Sequence, residues 1–123
     1  MIKLAVPLLH VSNAAAAQDF YCIRLGFHLE YAHGPHGAEG DPCYMGLSRD
    51  GVWIILSSFS GDGVAGGVVN LLVEDVDALY AEFLAAGVAI DLPPVDQTWG
   101  VREMYIKDSD RNCLRFQRTG FPD

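Results

Sequence analysis

The chain is short of cysteine, of positive charge and of long apolar runs, and each shortage closes off a class of explanation. Its three cysteines, Cys22, Cys43 and Cys113, are an odd number without a CxxC pair, so neither a disulfide framework nor a structural zinc site is expected. Eight basic residues stand against sixteen acidic ones, for a net charge of −8. Such a surface, without a basic patch, repels nucleic acid. The longest unbroken apolar stretches are short, residues 52–56 among them, far below the roughly 20 that a membrane helix needs. The opening Met1-Ile2-Lys3-Leu4 lacks the basic-then-apolar pattern of an export signal, so the cytoplasm is the expected location. What is present is globular: half of the 123 residues are apolar and a fifth are charged, enough for one domain with a real core. The acidity favours a cationic small ligand, and it also serves solubility alone.

Patterning sets out one course twice. A strand is expected over 4–11, with Pro7 pushing it toward an edge. Ser12 or Asn13 caps a helix through Ala14, Ala17, Phe20, Tyr21 and Leu25, and Gly26 suits the left-handed stop that ends many helices. Strands over 27–32, 43–48 and 52–59 follow, with a Gly/Pro loop over 33–42 and a turn at Arg49-Asp50-Gly51. After the Gly-rich linker 61–67 the order repeats. A strand over 68–73 precedes a helix capped by Asp75 or Asp77 and closed by Gly87, and a short strand follows over 88–92. A loop opens at Pro93-Pro94, and the last strands, 103–107 and 112–117, flank the turn at 108–111. The offset is about 60 residues throughout. One such unit cannot bury its own core, so the expected architecture is α+β: two tandem βαβββ modules, 1–60 and 68–120, with curled mixed sheets around a cleft, in a single domain 1–123.

The pieces Phe20-Tyr21-x-x-x-Leu25-Gly26-Phe27, Asp75-Val76-Asp77-Ala78-Leu79-Tyr80, Gln97-x-Trp99-Gly100 and Lys107-Asp108-x-Asp110-x-Asn112-x-Leu114 together resemble the glyoxalase/bleomycin resistance/dioxygenase superfamily, also called vicinal-oxygen-chelate proteins. The third piece points to the bleomycin-resistance branch. Enzymes of that superfamily hold a divalent metal with four inward side chains, and the resemblance puts those positions at Val6, Ile55, Val68 and Arg115. Three are aliphatic and one carries a fixed positive charge, so they do not fit a metal ion. No metal and no cofactor is expected.

The resemblance instead implies a homodimer, often with its first strand exchanged, that binds a small molecule in a groove at the subunit interface. A flat cationic ligand needs aromatic faces and carboxylates. The matching positions are Glu30, Tyr31, Tyr44, Ser57, Trp99 and Gly100, with Glu103 and Tyr105 beside them. Arg102 joins this set, an ordinary ion pair with Glu103 being its alternative. Trp99 would stack on the ligand and Gly100 would admit its close approach. Trp53, in an apolar strand, reads as core. The expected function is sequestration of a bleomycin-type antibiotic, conferring resistance, with no catalytic residue. The rivals are a metal-independent enzyme using His10 or Glu103 as acid/base, and a regulatory or structural module without a ligand.

Overall fold

Asn13 and Asp75 start the two helices: each side chain accepts from the backbone N–H three residues on, at 2.9 and 3.0 Å. In the computed structural model, which describes residues 1–119, these caps open two copies of one path. The first runs β1 (Leu8–His10), α1 (Ala14–Gln18) with a π-helical continuation (Asp19–Arg24), then β2 (His28–His33), β3 (Tyr44–Arg49) and β4 (Val52–Ser57). The second runs β5 (Val68–Leu72), α2 (Val76–Ala85), β6 (Leu92–Asp96), β7 (Val101–Lys107) and β8 (Cys113–Thr119). Position 120, the expected end of the second module, lies outside the described residues together with the tail to 123. Gly26 and Gly87 stop the helices at φ 78° and 77°.

Each module makes one four-stranded mixed sheet, ordered β1-β4-β3-β2 and β5-β8-β7-β6. The outer pairs β1–β4 and β5–β8 are parallel and the rest antiparallel. Neither sheet closes on itself; each keeps two edge strands. The β3–β4 hairpin turns on Asp50 and Gly51 at φ 52° and 78°, two left-handed residues between paired Arg49 and Val52, as a tight two-residue hairpin requires.

Two expected strands are corrected. The first is only three residues long, because Pro7 has no N–H to give a ladder. Its carbonyl still accepts from Ile55 N at 2.9 Å, and residues 1–5 ahead of it are exposed. The strand expected over 88–92 instead runs from Leu92 to Asp96, through Pro93 and Pro94. It is an edge strand with an irregular register between Leu92 and Val95, the setting in which prolines are tolerated. Val88, meanwhile, is buried and donates to Phe83 O, closing α2.

One continuous core joins the modules, with Tyr21, Leu25, Met45, Leu47, Ile54 and Leu56 from the first, and Phe83, Met104, Ile106 and Leu114 from the second. Each hairpin turn docks on the other module's helix. Arg49 of the first turn forms a bidentate pair with Glu82 of α2 (2.8 and 2.9 Å) and donates to Leu25 O. Buried Asp108 of the second turn accepts from the Tyr21 hydroxyl at 2.8 Å. Burial, and then the Asp108 charge, pushes that hydroxyl far above its usual range. Asn112, fully buried, completes this seam: its amide donates to His10 O and to Asp108, and its oxygen accepts from Gly66 N and Gly67 N.

Candidate functional site

Strand alternation turns one face of each sheet toward its helix and leaves the other open. On the first sheet Met45, Leu47, Ile54 and Leu56 fill the core. The opposite side carries Tyr31, His33, Tyr44, Trp53, Ile55 and Ser57, as the strand register requires. Tyr31 lies across Gly46, where any Cβ would meet its ring. From there it stacks with Tyr44 at 6.4 Å and 18°, and with Trp53 at 6.5 Å and 29°. His33 adds a tilted contact at 5.2 Å. Burial and the neighbouring Tyr44 both raise the Tyr31 hydroxyl, which keeps it a neutral donor. Glu30 sits beside this array, accepting from the Ser48 hydroxyl at 2.7 Å. Three of the residues singled out by sequence are therefore brought together here: Glu30, Tyr31 and Tyr44.

Trp53 belongs to the array and is not core. Alternation held the signal, since Ile54 and Leu56 face inward and Trp53, Ile55 and Ser57 must then face out. Ser57 is on the same side but fully buried, and its hydroxyl is committed to Asp62 at 2.7 Å. His10, paired in register with Ser57, has its Nδ1 3.1 Å from Asp62 O, which orients the ring on this face.

The second sheet's open side carries Glu103 and Tyr105 on β7, Arg115 and Gln117 on β8, and Asn70 on β5. Glu103 is buried, and its hydrogen bond is the main cause that raises the Tyr105 hydroxyl. The Arg115 guanidinium lies 4.8 Å from the Tyr105 ring centroid. Arg102 points the other way, toward the helix side, where it pairs with Asp77 and Asp96 at 2.8 and 3.3 Å. The ion pair with Glu103 is thus replaced by one with α2, because successive residues of a strand face opposite sides. Trp99 is exposed in the β6–β7 turn, and Gly100 follows it at φ 92°. A depression of about 220 Å³ beside them is lined by Gln97, Gly100, Arg102 and Arg118.

A larger groove of about 860 Å³ lies between the modules, bounded by Leu4 and Pro7 ahead of β1, by Val52 and Trp53, and by Asn70 and Leu72 of β5. None of the nine residues singled out by sequence lines it. Trp53 does, and so joins the groove to the aromatic array. Among the described residues no group of three or more His, Cys, Asp or Glu comes together to hold a metal ion. The positions Val6, Ile55, Val68 and Arg115 do not fit one. No helix among those residues is long and apolar enough to cross a membrane.

The chain belongs to the Glyoxalase/Bleomycin resistance protein/Dioxygenase superfamily, whose family model matches residues 3–116. Among solved structures it is similar to a bleomycin-binding protein complexed with bleomycin, at 21% identity over 96% of this chain and 99% of that one, with a TM-score of 0.76. TioX from Micromonospora sp. ML1 matches at 22% identity, 95% and 99% coverage and a TM-score of 0.74. TnmS3, an antibiotic binding protein from Streptomyces sp. CB03234, matches at 25% identity, 97% and 98% coverage and a TM-score of 0.71. No curated protein sequence matches.

Proposed function

We propose that the protein sequesters a flat, cationic small molecule of the bleomycin type, without chemistry, in a groove completed by a second copy of the chain. The observation that carries this reading is the stacked array Tyr31–Tyr44–Trp53 on an open sheet face, with Glu30 at its rim. Ring planes already aligned offer a preformed surface for a planar ligand, and a rim carboxylate attracts its charge. Relatives that bind bleomycin and other antibiotics share the fold. Exposed Leu4, Val52, Val68 and Leu72 supply apolar surface for the second subunit. In that dimer Trp99 and Gly100 close over the ligand, Glu103 and Tyr105 contribute from the second sheet, and Arg102 and Ser57 hold the surrounding frame. Cytoplasmic location and a role in antibiotic resistance belong to the same proposal.

Calorimetric titration with metal-free bleomycin, paired with sedimentation of the free protein, tests it. Saturable binding by a dimer, weakened by Trp99→Ala with the dimer intact, is expected. A monomer, or a protein indifferent to the drug, contradicts it. A second reading, a metal-independent enzyme, draws on the orientation of His10 by Asp62. It requires turnover of a bound compound that His10→Ala abolishes.

A further inference from the structure

We propose that Arg115 is a recognition site for an oxyanion on the ligand, a carboxylate or a phenolate carried by a planar aromatic body. The inference rests on the sequestering reading for its location and adds a chemistry that a purely cationic ligand does not require. Arg115 Nε is the one buried side-chain nitrogen or oxygen without a hydrogen-bond partner among the described residues. No carboxylate comes within ion-pair distance of its guanidinium there either. Glu103, the acid on the same face, is diagonal to it across β7–β8: Tyr105 is the residue directly opposite Arg115, and Glu103 is opposite Gln117.

A buried donor left unpaired costs free energy, and a charged one costs more. The missing partner must be an acceptor, because every guanidinium nitrogen donates. Nε and one terminal nitrogen form the side-on edge that a carboxylate meets with two parallel bonds. The surroundings limit what can arrive. Tyr105 lies 4.8 Å from the guanidinium and holds it by cation–π attraction. On the other side Asn70 stands opposite in the β5–β8 register. Gln117 donates to the Asn70 oxygen at 3.2 Å, so the Asn70 amide N–H groups are not spent in that bond. Asn70 also lines the large groove together with Trp53. Arg115 does not itself line that groove, but Asn70 beside it does, so a ligand whose acid group meets Arg115 and whose body passes Asn70 reaches an aromatic wall, which suits an aromatic acid better than a small inorganic anion.

The test compares three probes of one shape: naphthalene-2-carboxylate, its neutral carboxamide and 2-naphthylmethylammonium. Binding is measured by calorimetry, and the Arg115 Nε–H signal is followed by ¹⁵N–¹H spectroscopy. The carboxylate is expected to bind at least about tenfold more tightly than the amide, the scale of a charge-assisted hydrogen bond, and to shift the Arg115 signal. Arg115→Gln should remove that preference, and Arg115→Lys should restore part of it. Equal affinity for carboxylate and amide, a preference that survives Arg115→Gln, or no binding by any probe overturns the inference. Metal-free bleomycin separates the two claims. If it binds while the carboxylate preference is absent, only the Arg115 assignment fails. If the preference holds and bleomycin does not bind, only the cationic-antibiotic reading fails.

Discussion

The two open sheet faces occupy equivalent places in a duplicated framework, yet they have different chemistry. The first is aromatic, with Tyr31, Tyr44 and Trp53 aligned and histidines at either end. The second is charged and hydrogen-bonding, with Glu103, Arg115, Asn70 and Gln117 around a single ring, Tyr105. The helix sides of the same sheets are alike in being apolar, packed with aliphatic and methionine side chains and, in the second, Phe116. Packing leaves little choice on a buried face, since a core tolerates only apolar groups that fill its volume. An open face is free of that constraint, so its residues report what the protein meets outside itself. One face offers planes to stack on, and the other offers a donor and an acceptor of opposite charge.

The sharpest way to break this contrast is to break the frame that both faces share. Asn112→Ala strands Gly66 N, Gly67 N and His10 O at the seam. It should cost about 2–4 kcal/mol in urea unfolding, as expected for a buried network that loses several partners. A cost below about 1 kcal/mol would show that the seam does not hold the modules together. A more selective cut is Gly46→Val, whose side chain takes the place of the Tyr31 ring. It should cost about 1–3 kcal/mol of stability and weaken planar ligands by tenfold or more, while sparing carboxylate selectivity on the second face. Loss of both together would mean that the faces do not act separately. Trp53→Ala should cost about 1 kcal/mol beyond its buried area through lost stacking, and a several-fold loss of bleomycin affinity should accompany it; unchanged affinity would return Trp53 to a purely structural role.

The smallest effect concerns the first turn. Pairing with Arg49 holds the Glu82 carboxyl below its ordinary value of 4.5. The pair therefore contributes fully above that value, and its contribution is lost as falling pH protonates Glu82. Because half of the Glu82 side chain is exposed, solvent screening limits this to about 1 kcal/mol or less. Arg49→Gln should flatten that part of the acid limb of a stability–pH curve. An unchanged acid limb in Arg49→Gln would discount the pair.

Local chemistry was legible in the sequence, and relations between strands were not. The caps, narrowed to Ser12 or Asn13 and to Asp75 or Asp77, the glycine stops after both helices and the turn at Arg49-Asp50-Gly51 depend on neighbours a few residues away and could be read from their own segments; the structure picks Asn13 and Asp75. The sixth strand could not, because Pro93 and Pro94 read as a loop until β7 supplies an edge for them to lie on. Sidedness was harder still. Trp53 looked like core because its neighbours are apolar, and Arg102 looked like a partner for Glu103 because it is adjacent. Strand alternation separates both pairs. The resemblance put Arg115 at an inward position, but that its Nε lacks a partner among the described residues could not be read from sequence, since it depends on which side chains the neighbouring strands bring up.

Single-tryptophan fluorescence gives the most direct test of the central claim. Trp53→Phe leaves Trp99 as the reporter on the exposed turn, and Trp99→Phe leaves Trp53 in the stacked array. Titration with metal-free bleomycin should quench both reporters saturably, at one site per subunit, as expected if the array and a partner's turn enclose one ligand. No change in either reporter up to high micromolar drug would contradict the account and leave only the fold.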